Sequence, residues 1–271
     1  MNEEFIFASL IKNSKEDLNK YFLDDEIKKI DSFKKVSFSF DEIFSESILD
    51  NIHYSWFVPI LNIYEEDKEL LILSLDEKSK KSLLKILNIE LKNNNVSAIT
   101  KRFSKKILFN GIVQDKKIIP KNFLKDCDLS FLLDFSKEKL IKIIDFLSLY
   151  DLSKELKKLV KKDIIDQIFS YLTNDEQNFL KSISKKIETF PYKNFDLKSS
   201  LKNKNTFRKN LHKFGLLRFS MALSLENVDL IWYICHYLDV GRGSFILNEL
   251  SKNMNLNACK AIKNELIKNF K

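Results

Sequence analysis

Glycine is nearly missing from this chain, with four in 271 residues against roughly 7% in an average protein. That scarcity excludes folds whose turns depend on glycine, doubly wound nucleotide-binding sheets among them, and no phosphate loop or GxGxxG stretch occurs. Proline is as sparse, at three, so helices have few places where they must stop. The three cysteines, Cys127, Cys235 and Cys259, stand too far apart for a disulfide framework or a zinc pattern and read as buried thiols. No run of about 20 uncharged apolar residues is present, and the opening MNEEFIFASL lacks a basic start leading into an apolar signal segment. These absences set the expectation of a cytoplasmic chain with no integral membrane segment.

Reactive chemistry is equally thin. His53, His212 and His236 are remote from any cysteine or carboxylate at metal-ligand spacing, so neither a metal nor a cofactor is expected. His236 follows Cys235, but adjacent helix residues point about 100° apart and cannot form a thiol–imidazole dyad. No nucleophile elbow or paired-acid motif is found, and the expectation is a protein that is not an enzyme.

What is abundant is Leu, Ile, Lys, Glu, Asn and Phe, at 44% hydrophobic and 31% charged residues. Such a chain buries a core and makes helices. Its net charge of +8 is concentrated in one place. Residues 184–213 hold nine Lys or Arg against Glu188 and Asp196, an excess of seven. Phe190, Tyr192, Phe195 and Phe207 interleave with those cations, the composition that single-stranded nucleic acid binders use for stacking plus charge. Lys202, Lys204, Arg208 and Lys209 are its candidate partner-binding residues. Arginine itself is rare, at four residues against 42 lysines. Each Arg is therefore more informative than a Lys, since its planar fork suits directional contacts.

Along the chain, Ser14 with Asp17, and Ser39, stand where helices open, the latter against a short strand alternative at 36–40. Residues 55–87 read as an apolar helix, a charged joint, a second apolar helix, and a third capped by Asp76. Val96, Ile99, Phe103 and Ile107 keep helical spacing, ended by Gly111 as a left-handed cap, while Asn110-Gly111 offers a small β-hairpin as the alternative. From Ser136 the helices are clear. One is expected to bury Leu140, Ile143, Ile144 and Leu147. A second, over 151–172, is expected to bury Leu156, Leu159, Val160, Ile164, Ile168 and Leu172. A third opens with Thr173 and Glu176 as a capping box, and a last one carries Ala258, Ile262, Leu266 and Phe270 on one face. The divisions expected are an N-terminal helical region (1–90), an irregular connector (91–135) and a C-terminal helical domain (136–271) containing the basic connector.

Two segments align without a gap. ELLILSLDEKSKKSLLKIL (69–87) matches WYICHYLDVGRGSFILNEL (232–250), pairing Leu75 with Leu238, Asp76 with Asp239 and Leu87 with Leu250. SYLTNDEQNFLKSI (170–183) is a looser third copy. The unit is helix, capped turn, helix, and stacking such units shares a core that none has alone. The fold class expected is all-α, an irregular armadillo-like helical repeat array. In the second copy Asp239 accepts hydrogen bonds from the next helix, while Gly241 and Gly243 let that helix start close to its neighbour. Arg242 lies in the first helical turn, where the macrodipole disfavours a cation. A partner's carboxylate or phosphate would offset that cost, and so would an internal ion pair.

DKELLILSLDEKSKKSLLKIL resembles the armadillo-type repeat of the flagellar rotor protein FliG, in which an apolar helix ends in Leu-Asp and a capped helix follows; DLIWYICHYLDVGRGSFILNEL is similar. The rotor family's Glu-His-Pro-Gln-Arg signature is replaced by NIYEEDKE, which turns the resemblance toward a related group, the SctK-type adaptor of the type III secretion sorting platform. It implies a scaffold that bridges other protein subunits of a membrane-associated assembly. The competing expectation is a helical nucleic-acid binder acting through residues 184–213.

Overall fold

The computed structural model describes residues 48–91, 96–113, 118–184, 197–252 and 255–271. The expected helix starts at Ser14 and Ser39, the alternative strand at 36–40, and residues 185–196 of the basic connector lie outside them. The protein is all-α, and no strand occurs among the described residues. It forms two compact units, Met1–Phe123 and Leu124–Lys271, dividing inside the expected connector.

In the first unit a 3₁₀ turn, Tyr54–Trp56, leads into α1 (Phe57–Ile63), α2 (Lys68–Leu73), α3 (Glu77–Leu87) and α4 (Ala98–Val113). The 3₁₀ turn starts on His53, whose Nδ1 accepts the Ser55 N–H at 3.3 Å. Asp76 caps α3 by accepting the N–H groups of Lys78 (2.9 Å) and Ser79 (3.0 Å). That helix ends at Asn88, the one described non-glycine residue with positive φ (53°), where a left-handed residue closes the last turn. α1 and α2 pack on α4, and Phe57, Ile60, Leu71, Ile72, Leu108 and Val113 on these helices are all buried.

The expected helix is present as α4, but neither the left-handed cap at Gly111 nor the alternative hairpin is. The Asn110-Gly111 hairpin is absent, because the helix runs through both residues and Gly111 has no positive φ. Gly111 serves packing instead, since a Cβ there would stand 2.8 Å from the Ile60 side chain. Ile99 and Phe103, read at helical spacing, do lie on this helix but are 80% and 65% exposed, and its buried face carries Ser104 and Leu108. The region between the two expected domains is therefore not wholly irregular.

The second unit contains α5 (Lys137–Leu156), α6 (Lys162–Tyr171), α7 (Asn174–Ile183), a single turn Leu197–Ser200, α8 (Lys204–Leu223), α9 (Val228–Tyr237), α10 (Val240–Leu250) and α11 (Leu256–Phe270). α5 opens on Ser136, which accepts the Lys139 N–H at 3.2 Å, and continues past the expected break at Tyr150 to Leu156. The chain then turns through Lys157–Lys161, which puts Val160, expected in the core, 96% exposed. α8 is the centre of the unit and packs on α5, α10 and α11. Residues Gly215 to Leu223 are buried without exception, Arg218 and Ser220 included. α8 crosses α5 where Gly215 meets the Ile144 backbone; a Cβ on Gly215 would lie 2.0 Å from the Ile144 carbonyl oxygen. α9 is buried through Leu230, Trp232, Tyr233, Ile234, Cys235 and His236, with the Trp232 and His236 rings stacked at 4.0 Å.

Candidate functional site

A continuous polar seam joins α5, α7, α8 and the α9–α10 turn. It begins at the N-terminus of α7, where Thr173 and Glu176 form a complete capping box: the Thr173 N–H donates to Glu176 Oε2 at 2.8 Å, and the Glu176 N–H to Thr173 Oγ1 at 3.3 Å. Arg208, on α8, donates through Nη1 to both Glu176 oxygens at 2.7 Å, and its Nη2 lies 3.5 Å from Asp145 Oδ2 on α5. Asp145 Oδ1 is 2.7 Å from His212 Nδ1. On the other side of that ring, Arg242 donates through Nε to His212 Nε2 at 2.8 Å. Arg242 Nη1 bonds the Asp239 carboxylate, and Asp239 accepts the Arg242 backbone N–H at 3.2 Å as the cap of α10.

The donors fix the state of the ring. A guanidinium N–H can only donate, so Nε2 of His212 is the acceptor and carries no proton. Nδ1 therefore holds the proton and donates it to Asp145. A neutral imidazole whose lone pair is occupied by an arginine is not placed to act as a general base. Burial raises the Asp239 carboxyl, but the Arg242 side chain and backbone overcome this and hold it below the ordinary aspartate value. At the other capped turn burial again opposes ionisation, and the Ser79 hydrogen bonds to Asp76 prevail in the same way.

The seam settles where the singled-out residues stand. Arg242 was a candidate for contact with a partner; here it is turned onto Asp239 and His212, with 31% of its side chain exposed. Arg208 is likewise turned inward, onto Glu176 and Asp145. Lys202, Lys204 and Lys209 are exposed. Phe207, proposed to stack on bases, is fully buried in the core formed with Leu149, Ile168 and Leu211. Gly243 is buried, but Gly241 is exposed, and the nearest atom to a Cβ there is its own cap's Asp239 Oδ1 at 3.4 Å. Close helix approach is seen at Gly215 and not at Gly241.

Deeper in the unit, Arg218 donates through Nε (2.7 Å) and Nη2 (2.9 Å) to the two oxygens of Asp151, with both side chains 5% exposed. This fork geometry is one that lysine cannot reproduce. Beside it, Tyr150 donates to Glu265 Oε2 at 2.6 Å and accepts from Asn269 at 2.9 Å, tying α5 to α11. Lys263 bridges Glu226 (2.6 Å) and Asp128 (2.8 Å). Cys235 and Cys259 are buried while Cys127 is half-buried. Burial pushes the Cys235 thiol up to about 12 and raises that of Cys127 as well, so neither is a ready nucleophile. In the first unit a cleft of about 500 Å³ is lined by residues of both signs, among them Asp50, Asp76, Lys80, Lys101, Arg102 and Lys105. Among the described residues no three His, Cys, Asp or Glu are grouped to hold a metal ion, and no helix is long and apolar enough to cross a membrane.

The caps at the two ends of the seam, Thr173 with Glu176 and Asp239, were visible in the sequence, but the contacts that join them were not. His212 and Asp145 are 67 residues apart, and no spacing signals their meeting. The rarity of arginine was the nearest signal: it pointed to directional contacts but left open whether a partner or the fold itself supplied them. Compared with known proteins, the chain matches no family model, no curated protein and no solved structure.

Each cap carries an expected effect. Asp76→Ala and Asp239→Ala should each lower stability by about 1 kcal/mol in thermal or chemical melts, the usual loss when an N-cap is removed. Because both carboxyls are depressed in the folded protein, their contribution is present above the unfolded value near 4 and lost as pH falls through the lower folded value. The gap between parent and variant should therefore close on acidification below about pH 4.

Proposed function

We propose that this protein is a non-enzymatic docking adaptor that joins other protein subunits, at the cytoplasmic side of a type III secretion or flagellar-type assembly and peripheral to its membrane. The observation that carries the reading is the common construction of the two segments resembling the FliG repeat. α2–α3 and α9–α10 each place an apolar helix before a Leu-Asp turn, with the Asp capping an 11-residue helix. The α6–α7 pair repeats the construction with Thr173 as the cap. An armadillo-like array of such units belongs to the same proposal. Arg208, Arg218, His212 and Arg242 are committed inward, while lysines, carboxylates and large apolar side chains such as Ile99, Phe103, Val160 and Val228 stay exposed, a mixed surface that suits protein contacts.

A second reading, nucleic acid binding, draws on the exposed Lys202, Lys204 and Lys209. It is weakened by the burial of Phe207 and the inward turn of Arg208. A photo-crosslinking amino acid in place of Lys204, activated in the native host, separates the two. The adaptor reading expects one or a few discrete polypeptide adducts, identifiable as subunits of the secretion or flagellar apparatus. Adducts that collapse on nuclease treatment would replace it with the second reading.

A further inference from the structure

We propose that His212 is a proton-operated latch: when its ring takes up a second proton, the bond from Arg242 is lost and the guanidinium, still paired with Asp239, swings away from the ring. The geometry dictates the direction. In the neutral state Nε2 accepts from Arg242 Nε at 2.8 Å while Nδ1–H donates to Asp145 at 2.7 Å. Protonation at Nε2 sets two N–H donors against each other and places an imidazolium beside a guanidinium. The Nδ1 side gains, because the cationic ring now faces the Asp145 carboxylate. The ring therefore stays on α5 and Arg242 is the part that leaves. Histidine is the side chain whose unperturbed charge change falls between pH 5 and 8, and this sets the range of the test.

The charged groups around the ring fit this division. α5 contributes Asp145; α8 contributes Arg208, which is held by Glu176 of α7. α10 contributes Arg242 and its cap partner Asp239, near which Lys137 at the start of α5 also lies. Glu265 of α11 is engaged with Tyr150. Lys209 and Lys213, on α8 itself, are exposed. Asp239 accepts both the Arg242 backbone N–H and its side chain, and neither bond involves the ring, so α10 is expected to stay in place while the guanidinium pivots on its Asp239 pair. Arg242 is already 31% exposed, and once off the ring its Nε edge would be open to a carboxylate on a docking subunit while Nη1 stays on Asp239. That last consequence rests on the adaptor reading, whereas the latch does not.

The test is a double-mutant cycle read by melting temperature, with the parent, His212→Ala, Arg242→Ala and the double variant each measured at pH 8 and pH 5. Contributions from His53, His236 and Asp239 cancel within the cycle. At pH 8 Arg242→Ala should lower the midpoint more in the parent than in the His212→Ala background; at pH 5 that excess should vanish or change sign. An excess equal at the two pH values, or none at pH 8, would overturn the latch. A second measurement needs only the folded parent: nitrogen-15 NMR of the histidine side chains should show His212 protonated at Nδ1 and bare at Nε2 at pH 8. The opposite tautomer would overturn the latch regardless of how the variants fold. Neither outcome bears on whether partner subunits are bound.

Discussion

Gly215→Val is expected to prevent the second unit from folding cooperatively, and Gly215→Ala to lower its stability by about 3 kcal/mol or more, at or beyond the upper end for overpacking. Even the single methyl of alanine would enter 2.0 Å from the Ile144 carbonyl oxygen and 2.7 Å from its carbon. Both are main-chain atoms of α5 and cannot rotate away as a side chain would. The 20-residue helices α5 and α8 must therefore separate, and α10 and α11, which pack on α8, move with them. Gly241→Ala is the matched control. Its nearest contact is 3.4 Å from a Cβ and it lies exposed in a helix, so it should be neutral or stabilise by a few tenths of a kcal/mol. Equal effects of the two alanine substitutions in chemical denaturation would show that the close crossing is wrong.

Arg218→Met is expected to lower stability by about 3–5 kcal/mol, because it takes the guanidinium away from the buried Asp151 carboxylate. The pair is fully enclosed, with each side chain 5% exposed, and two parallel hydrogen bonds hold it. The large effect measures the stranded carboxylate rather than the worth of the pair. Adding Asp151→Leu should accordingly recover most of the loss, since a buried ion pair and an apolar pair of similar volume are often close in stability. A double variant no better than Arg218→Met would mean that Asp151 serves some other buried group that leucine cannot satisfy.

The contrast between these residues and the capped turns shows what the sequence can carry. Caps are local. Asp76, Ser136, Thr173 with Glu176, and Asp239 each bond to amides two or three positions ahead, and each could be read from a short stretch. The apolar stripe of α11 was legible for the same reason, with Ala258, Ile262 and Leu266 buried at helical spacing. α8 was not, because it is buried on every side along its second half and so shows no stripe. Gly215 means close approach only once α5 is known to cross there. Val160 and Phe103 fit an apolar period yet face outward, since periodicity marks a face without saying what covers it. The seam was the least legible part, being assembled from four elements by contacts across 30 residues and more.

The docking role is tested most directly by affinity capture of the tagged protein from its native host across a salt series, with protein and RNA quantified in each eluate. A helical adaptor should retain the same subunits of a secretion or flagellar assembly, in constant proportion, as salt rises from low to moderate concentration. Capture dominated by RNA and falling steeply over that range, as counterion release requires of nucleic acid binding, would contradict it.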